Sequence, residues 1–335
     1  MTKLPKKIIL IIIASLLALA LLFSISTGAV SIPFLQLISF NLSPSQEAVL
    51  FSIRLPRALL AIIIGASLAV SGAAIQGIFR NPLADPGLIG ISSGAALGVG
   101  LMIVFAGPLN GILGIYGLSF AAFIGGLLTC LLIMRFAFLS GAFSVTYMLL
   151  AGIAINSLSG AATGFMSYLS NDEQLRSLTF WTMGGLGGAL WSSVFVALSV
   201  VLPTTIMLII DSKKLNILLL GDSEAEYLGI NIKALKKRII ICTVLSVGVS
   251  VSISGIIGFV GLVVPHLIRL TFGSDNRWLI PLSALLGALL LLIADTFART
   301  IVSPAELPVG IITSLIGGPF FLWLLVKQYS NKFTV

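Results

Sequence analysis

The chain has 335 residues, of which 58% are hydrophobic and only 9% charged, with a mean hydropathy of +1.16. A water-soluble core of that size needs a far more polar surface, so the composition excludes a soluble globule and describes an all-α, polytopic membrane protein. The formal net charge of +8 falls mostly in short segments between apolar runs, where it orients spans rather than binding nucleic acid.

In chain order, Lys3, Lys6 and Lys7 precede the apolar run Ile8 to Phe23. That order also fits a signal peptide cut near Thr27-Gly28-Ala29, but the many apolar runs that follow predict a retained first span. Ten spans are predicted, at 8–27, 58–79, 88–106, 112–138, 145–168, 191–210, 239–257, 259–272, 278–301 and 307–326. Hydropathy alone would fuse the seventh and eighth; charge separates them. With the N-terminus inside, ten spans leave 15 Lys and Arg on inner segments and four (Arg54, Arg57, Arg176, Arg299) on outer ones. That is a strong positive-inside bias, and it places both termini in the cytoplasm. Cys130 and Cys242 lie inside apolar runs and read as small packing residues.

Polar or broken stretches interrupt the spans. Arg54-Leu55-Pro56-Arg57 stands at the outer mouth of the second span, with its proline suited to a first helical turn. Its arginines either snorkel to lipid head groups or face outward as a carboxylate receptor. Arg80 to Gly87, with Pro82 and Pro86, forms either a tight inner turn or the inner end of a pathway lined by Asn81 and Leu83. Ser170 to Trp191 predicts a short interfacial helix on the outside. His266, the single histidine, has no companions for a metal site. Asp295 and Arg299 are spaced as an i,i+4 pair, and Glu306 has no evident partner.

The most charged stretch is Asp211 to Arg238, whose 28 residues hold six of the 19 Lys and Arg and four of the 11 acids. Ser223 and Glu226 have capping-box spacing, Gly229 would end the short helix, and Tyr227, Leu228 and Ile230 give it an apolar side. The loop is either a docking plug for a soluble partner or a solvated loop that fixes topology. No P-loop, HExxH or CxxC occurs. Mid-membrane acids are nearly absent, which argues against an ion-coupled carrier. If the chain pumps, its energy arrives from another subunit through this loop.

Five ordered stretches carry a resemblance. They are RLPRALLAIIIGASLAVSGAAIQGIFRNPLADPGLIGISSGAALG (Arg54 to Gly98), FWTMGGLGGALW (Phe180 to Trp191), LLLGDSEAEYLGI (Leu218 to Ile230), SGIIGFVGLVVPHLIRL (Ser254 to Leu270) and AELPVGIITSLIGGPFFLWLL (Ala305 to Leu325). Together they resemble the FecCD-type permeases, membrane subunits of type II ABC importers for heme, iron–siderophore complexes and cobalamin. The resemblance implies one transmembrane permease domain over 1–335 with ten spans, a homodimer with the pathway between copies, two ATP-binding subunits below, and a periplasmic or lipoprotein substrate-binding protein above.

By the same resemblance, Arg54, Arg57 and Arg299 accept glutamates of that binding protein. The ATPase coupling segment is Leu220, Gly221, Asp222, Ser223, Glu224, Ala225, Glu226, Tyr227, Leu228 and Gly229. The inner gate involves Asn81 and Leu83 with Val145 and Thr146; Val145 departs from a pair of hydroxyl residues common there. The chain itself would be non-catalytic and need no cofactor, ATP and Mg belonging to the partner ATPase. It would sit in a bacterial cytoplasmic membrane. The Gly-Gly-Leu-Gly-Gly run and RNPLADPGLIGISSGAALG most resemble heme-type and cobalamin-type members; heme is the favoured cargo, with siderophore and cobalamin as alternatives.

Overall fold

The computed structural model describes residues 5–28, 30, 32–33, 36–37, 42–105, 116–138, 143–303 and 305–332, without the side chains of 325 and 327–332. Lys3, Ala29 and the first part of the predicted fourth span, 112–115, lie outside the described residues. Among those described, every regular element is a helix. The chain runs α1 (Lys6–Ser26), α2 (Pro44–Val49), a π-helical turn (Leu50–Arg54), α3 (Leu55–Phe79), a 3-10 turn (Pro86–Ile89), α4 (Ile91–Phe105), α5 (Gly117–Ala137) and α6 (Val145–Leu169). It continues with α7 (Asp172–Met183), α8 (Trp191–Ile210), α9 (Ser212–Leu218), α10 (Asp222–Tyr227), α11 (Ile232–Ser254), α12 (Val260–Phe272), α13 (Asn276–Thr300) and α14 (Val309–Lys332). Seven of these stretches are long and apolar enough to cross a membrane, and α4, α12 and α14 are three shorter apolar helices. Together they occupy the ten predicted spans.

Burial sorts the helices into two sets. The apolar windows of the stretch ending in α3, of α11 and of α13 are 78%, 72% and 67% buried inside the chain, whereas those of α1, α5, α6 and α8 are 22–28% buried. A helix apolar all round belongs in a core or against another apolar surface, so the first set is the core and the second surrounds it with apolar faces turned outward. Small residues let the core close. A Cβ on Gly65 would run into the carbonyl of Gly287 on α13, and one on Gly72 into that of Gly261 on α12. Without a hydrophobic driving force between spans, such backbone contact and polar links hold them. Ser67, Ser246 and Ser250, all buried, supply the links between α3 and α11, with Oγ–Oγ separations of 2.7 and 2.8 Å.

The break between the seventh and eighth spans is real: α11 ends at Ser254, and α12 begins at Val260 after Phe259, which adopts φ +67°. Three local expectations are corrected. The Arg54–Arg57 motif does not start a helix, because the chain is already helical from Pro44 and the π turn runs directly into α3. Pro56 lacks an N–H and crowds the carbonyl one turn back, and the helix widens just before it, with the Leu55 N–H on the Leu50 carbonyl. The 211–238 stretch is not a loop but α9, α10 and the first two turns of α11, so Lys233, Lys236, Lys237 and Arg238 are helical. Ser223 caps nothing: α10 opens one residue earlier, from Gly221 at φ +142°, without a side-chain cap. Its end is as expected, with Gly229 at φ +79° and the Ile230 N–H on the Ala225 carbonyl.

Candidate functional site

The charged side chains gather at the two ends of the core. α3 joins them, carrying Arg57 at one end and leading into Arg80 at the other.

At the first end, Arg57 is 7% exposed and is held by two carboxylates. Its Nε and Nη2 each donate to Asp295 at 2.9 Å, a bidentate fork, and its Nη1 donates to Glu306 at 2.8 Å. The Asp295 side chain is 1% exposed and that of Glu306 49%. Asp295 therefore pairs with Arg57 across the bundle, and the i,i+4 pair with Arg299 does not form. Arg54 and Arg299 sit differently. Arg54 donates to the carbonyls of Ile25, Ser26 and Val30, and Arg299 to those of Ser24 and Thr27. Neither has a carboxylate partner among the described residues. Two guanidinium charges are thus parked on neutral peptide oxygens of the last turn of α1 and the residues just after it. Gly28 passes between them: its φ is +144°, and a Cβ there would meet Arg54 Nη2 at 2.8 Å and Arg299 Nη1 at 3.3 Å. Beside them a cleft of about 310 Å³ is lined by Arg57, Glu306, Trp181 and the Gly184–Gly188 run.

At the opposite end, α10 is held by its first residue. Asp222 accepts from Arg80, which caps α3 in the left-handed conformation, and from Lys236 of α11 at 2.6 Å. Lys236 is itself 5% exposed, its ammonium 5.3 Å from the Phe143 ring. Ala225 is fully buried beneath the helix. The other face is bare: Tyr227 is 91% exposed, Leu220 68% and Leu228 62%. Six residues make a marginal helix alone, so these ties hold it up as a knob with an apolar top. Asp211, buried at the foot of α9, takes Arg238 at 2.6 Å and Lys214 at 3.4 Å. Asp275, which caps α13, is held below the usual carboxylate range by the Arg277 guanidinium, and Asn216 adds to this.

Of the predicted gate residues, Asn81 Oδ1 accepts from the Leu83 N–H and so sets that turn, and Leu83 is 43% exposed. Val145 and Thr146 open α6 after its cap, Ser144. α6 meets the 3-10 turn further along, where Asn156 reaches the Gly87 carbonyl. His266 is buried, edge-on to Phe320 at 6.3 Å. Gly90-Ile91-Ser92-Ser93-Gly94 has the spacing of a nucleophile elbow, yet its central Ser92 lies in the first turn of α4 with no strand before it. Cys130 and Cys242 are free and buried. Missed in the sequence were the carboxylates of Arg57, the Arg80–Asp222–Lys236 tie and the bond from Arg269 to Gln76. The isolated acids Asp295 and Glu306 were the available signal for the first; the other two had none.

Residues 16–327 match the FecCD transport family. The hemin transport system permease protein HmuU of Yersinia pestis is 50% identical over 317 residues, 95% of each chain. The vitamin B12 import system permease protein BtuC of Vibrio vulnificus is 41% identical over 321 residues, 96% of this chain and 94% of that one. A solved ABC transporter described as of metal-chelate type, in an inward-facing conformation, superposes with a TM-score of 0.85 at 36% identity, covering 95% of this chain and 99% of the other. An all-helical bundle with ten span positions, charged at both ends and matched end to end by such relatives, belongs to the FecCD transport family as a multi-pass membrane permease of an ABC importer.

Proposed function

We propose that this chain is the permease of an ATP-driven importer that takes hemin from a substrate-binding protein across the bacterial cytoplasmic membrane, working as a homodimer with two ATP-binding subunits. The observation that carries the cargo is the 50% identity to a hemin permease across 95% of both chains. The cobalamin permease, at 41%, marks cobalamin as a competing cargo. Both termini would lie in the cytoplasm, on the side of α10. ATP and Mg would be bound by the partner, and this chain would need no cofactor.

The outer arginines then divide the work. Arg54 and Arg299 hold unneutralised charge on peptide carbonyls, and a carboxylate adds the attraction of a full opposite charge and a bidentate fit that single carbonyls lack. Carboxylates of a docking protein would displace residues 24–30 and take both guanidiniums. Arg57 cannot exchange its buried Asp295 side; it fixes α3 to α13, and only the Glu306 side is free to open. Asp295, locked in that fork, is also unavailable as a carried proton site, which favours an external energy source over ion coupling. Below, the apolar top of α10 would enter a cleft on the ATPase, and closure of the ATPase pair would reach α3 and α11 through Asp222. Asn81, Leu83, Val145 and Thr146 would form the inner gate, open when the outer end is closed. The walls of such a path bind weakly, since a tight site would slow release.

The test is cargo choice in liposomes that hold the permease, its ATP-binding subunit and its binding protein. The expected result is ATP-dependent accumulation of hemin and none of cobalamin or a ferric siderophore. Accumulation of either of those without hemin would overturn the cargo.

A further inference from the structure

At the α10 end, a cavity of about 230 Å³ opens between the C-terminal end of α3, α12 and the start of α13. Gln76, Arg80, Asn81, Arg269, Ser274 and Asn276 supply its polar lining, and no carboxylate is among the lining residues. Arg269 donates one bond, Nη1 to Gln76 Oε1 at 2.9 Å, and has no ion pair among the described residues. That bond fixes the orientation of the Gln76 amide. Its NH2 group, on a side chain 2% exposed and lining the cavity, is left with no hydrogen-bond partner. A buried donor without an acceptor costs stability, and a partly buried arginine without an anion costs more. The neighbouring acids are spent elsewhere. Asp275 is held by Arg277 and Asn216, and Asp222 bridges Arg80 and Lys236.

We propose that this cavity binds a phosphate-type oxyanion, carried on a phospholipid head group or free in the cytoplasm. Donors come from separate elements: the Gln76 amide and Arg80 from the α3 end, Arg269 from α12, the Ser274 hydroxyl from the connector. That spread suits a tetrahedral anion better than a planar carboxylate, which one guanidinium fork satisfies alone. The site does not depend on the cargo or on the direction of transport. It bears on α10 all the same, because an anion at Arg80 competes with Asp222, and Asp222 is what ties α10 to the core.

The experiment uses the purified full chain in neutral detergent, with inorganic phosphate as the probe at constant ionic strength and chloride as the reference. Phosphate is expected to raise the melting temperature of the wild type. Arg269→Gln and Gln76→Leu should each weaken phosphate affinity about tenfold or more, the scale of one hydrogen bond to a charged group. Lys213→Gln, an exposed lysine outside the cavity, should leave it unchanged. A second arm compares nanodiscs of zwitterionic lipid with discs containing phosphatidylglycerol. Stabilisation by the anionic discs that Arg269→Gln abolishes, with no response to free phosphate, assigns the site to a lipid head group. If Arg269→Gln does not elute as a single folded species, Gln76→Leu and Arg80→Gln carry the comparison. Responses to phosphate and to anionic discs that are the same in the wild type and all cavity variants would overturn the proposal.

Discussion

The two ends of the bundle meet their surroundings in opposite ways. At one, three arginines are turned inward and every guanidinium already has acceptors, two of them on peptide carbonyls and one on two carboxylates. At the other, the charges of Asp222 and Lys236 are consumed internally, while Leu220, Tyr227 and Leu228 are left bare. The first end has to be opened before it can bind anything; the second is preformed. A partner recognised by exchange of hydrogen bonds can come and go with the cargo, whereas one recognised by buried apolar surface can stay attached through many cycles. On the proposed function, the first end would suit a binding protein that comes and goes and the second an ATPase that stays attached.

The sharpest way to break the comparison is to separate the two carboxylates of Arg57. Asp295→Asn leaves the buried guanidinium with only the half-exposed Glu306 as charge partner and should cost about 3–5 kcal/mol, read as a fall in melting temperature of the purified chain. Glu306→Gln removes a half-exposed partner and should cost under about 1 kcal/mol. Equal losses would mean that Arg57 is not anchored on Asp295.

Next in size is the double reversal Arg54→Glu, Arg299→Glu. Two lost charge-assisted pairs should weaken docking of the binding protein by about a hundredfold or more, measured by surface binding. Co-purification with the ATPase should be unaffected, and normal docking by this double variant would remove the exchange argument. Tyr227→Glu with Leu228→Glu is the complementary lesion. Stability should move by no more than about 0.5 kcal/mol, because both side chains are exposed, while the ATPase is lost from the purified complex. Retention of the ATPase would show that the knob is a solvated turn.

A last, local effect is at Asp275. Asp275→Ala removes the cap of α13 and should cost about 1 kcal/mol at neutral pH. The wild-type carboxyl sits below its unfolded value, so its contribution is present above the ordinary carboxylate range and fades as pH falls through the lowered value. The difference between wild type and variant should therefore shrink in strong acid; a difference that grows there would put the wrong sign on the Arg277 interaction.

Much of the fold was legible because membrane helices announce themselves: long apolar runs, Gly and Pro at the breaks, and cationic residues biased to one side. The break at Gly255–Phe259 could be read from charge alone. The sites were legible as residues but not as pairs. Arg57 meets partners 238 and 249 positions away, and nothing local specifies that. The helical spacing of Asp295 and Arg299 allowed a pair, yet Arg57 offers Asp295 a fork across the bundle and prevails. The capping box at Ser223 failed for a similar reason. The pull of Arg80 and Lys236 on Asp222 sets where α10 begins, and a six-residue helix has too little propensity of its own to resist.

The most direct measurement is hemin accumulation in liposomes holding this chain alone, under an imposed proton or sodium gradient, against liposomes that also hold the ATP-binding subunit, the binding protein and ATP. The account predicts no uphill accumulation in the first set and accumulation in the second. Gradient-driven uptake by the chain alone would contradict it.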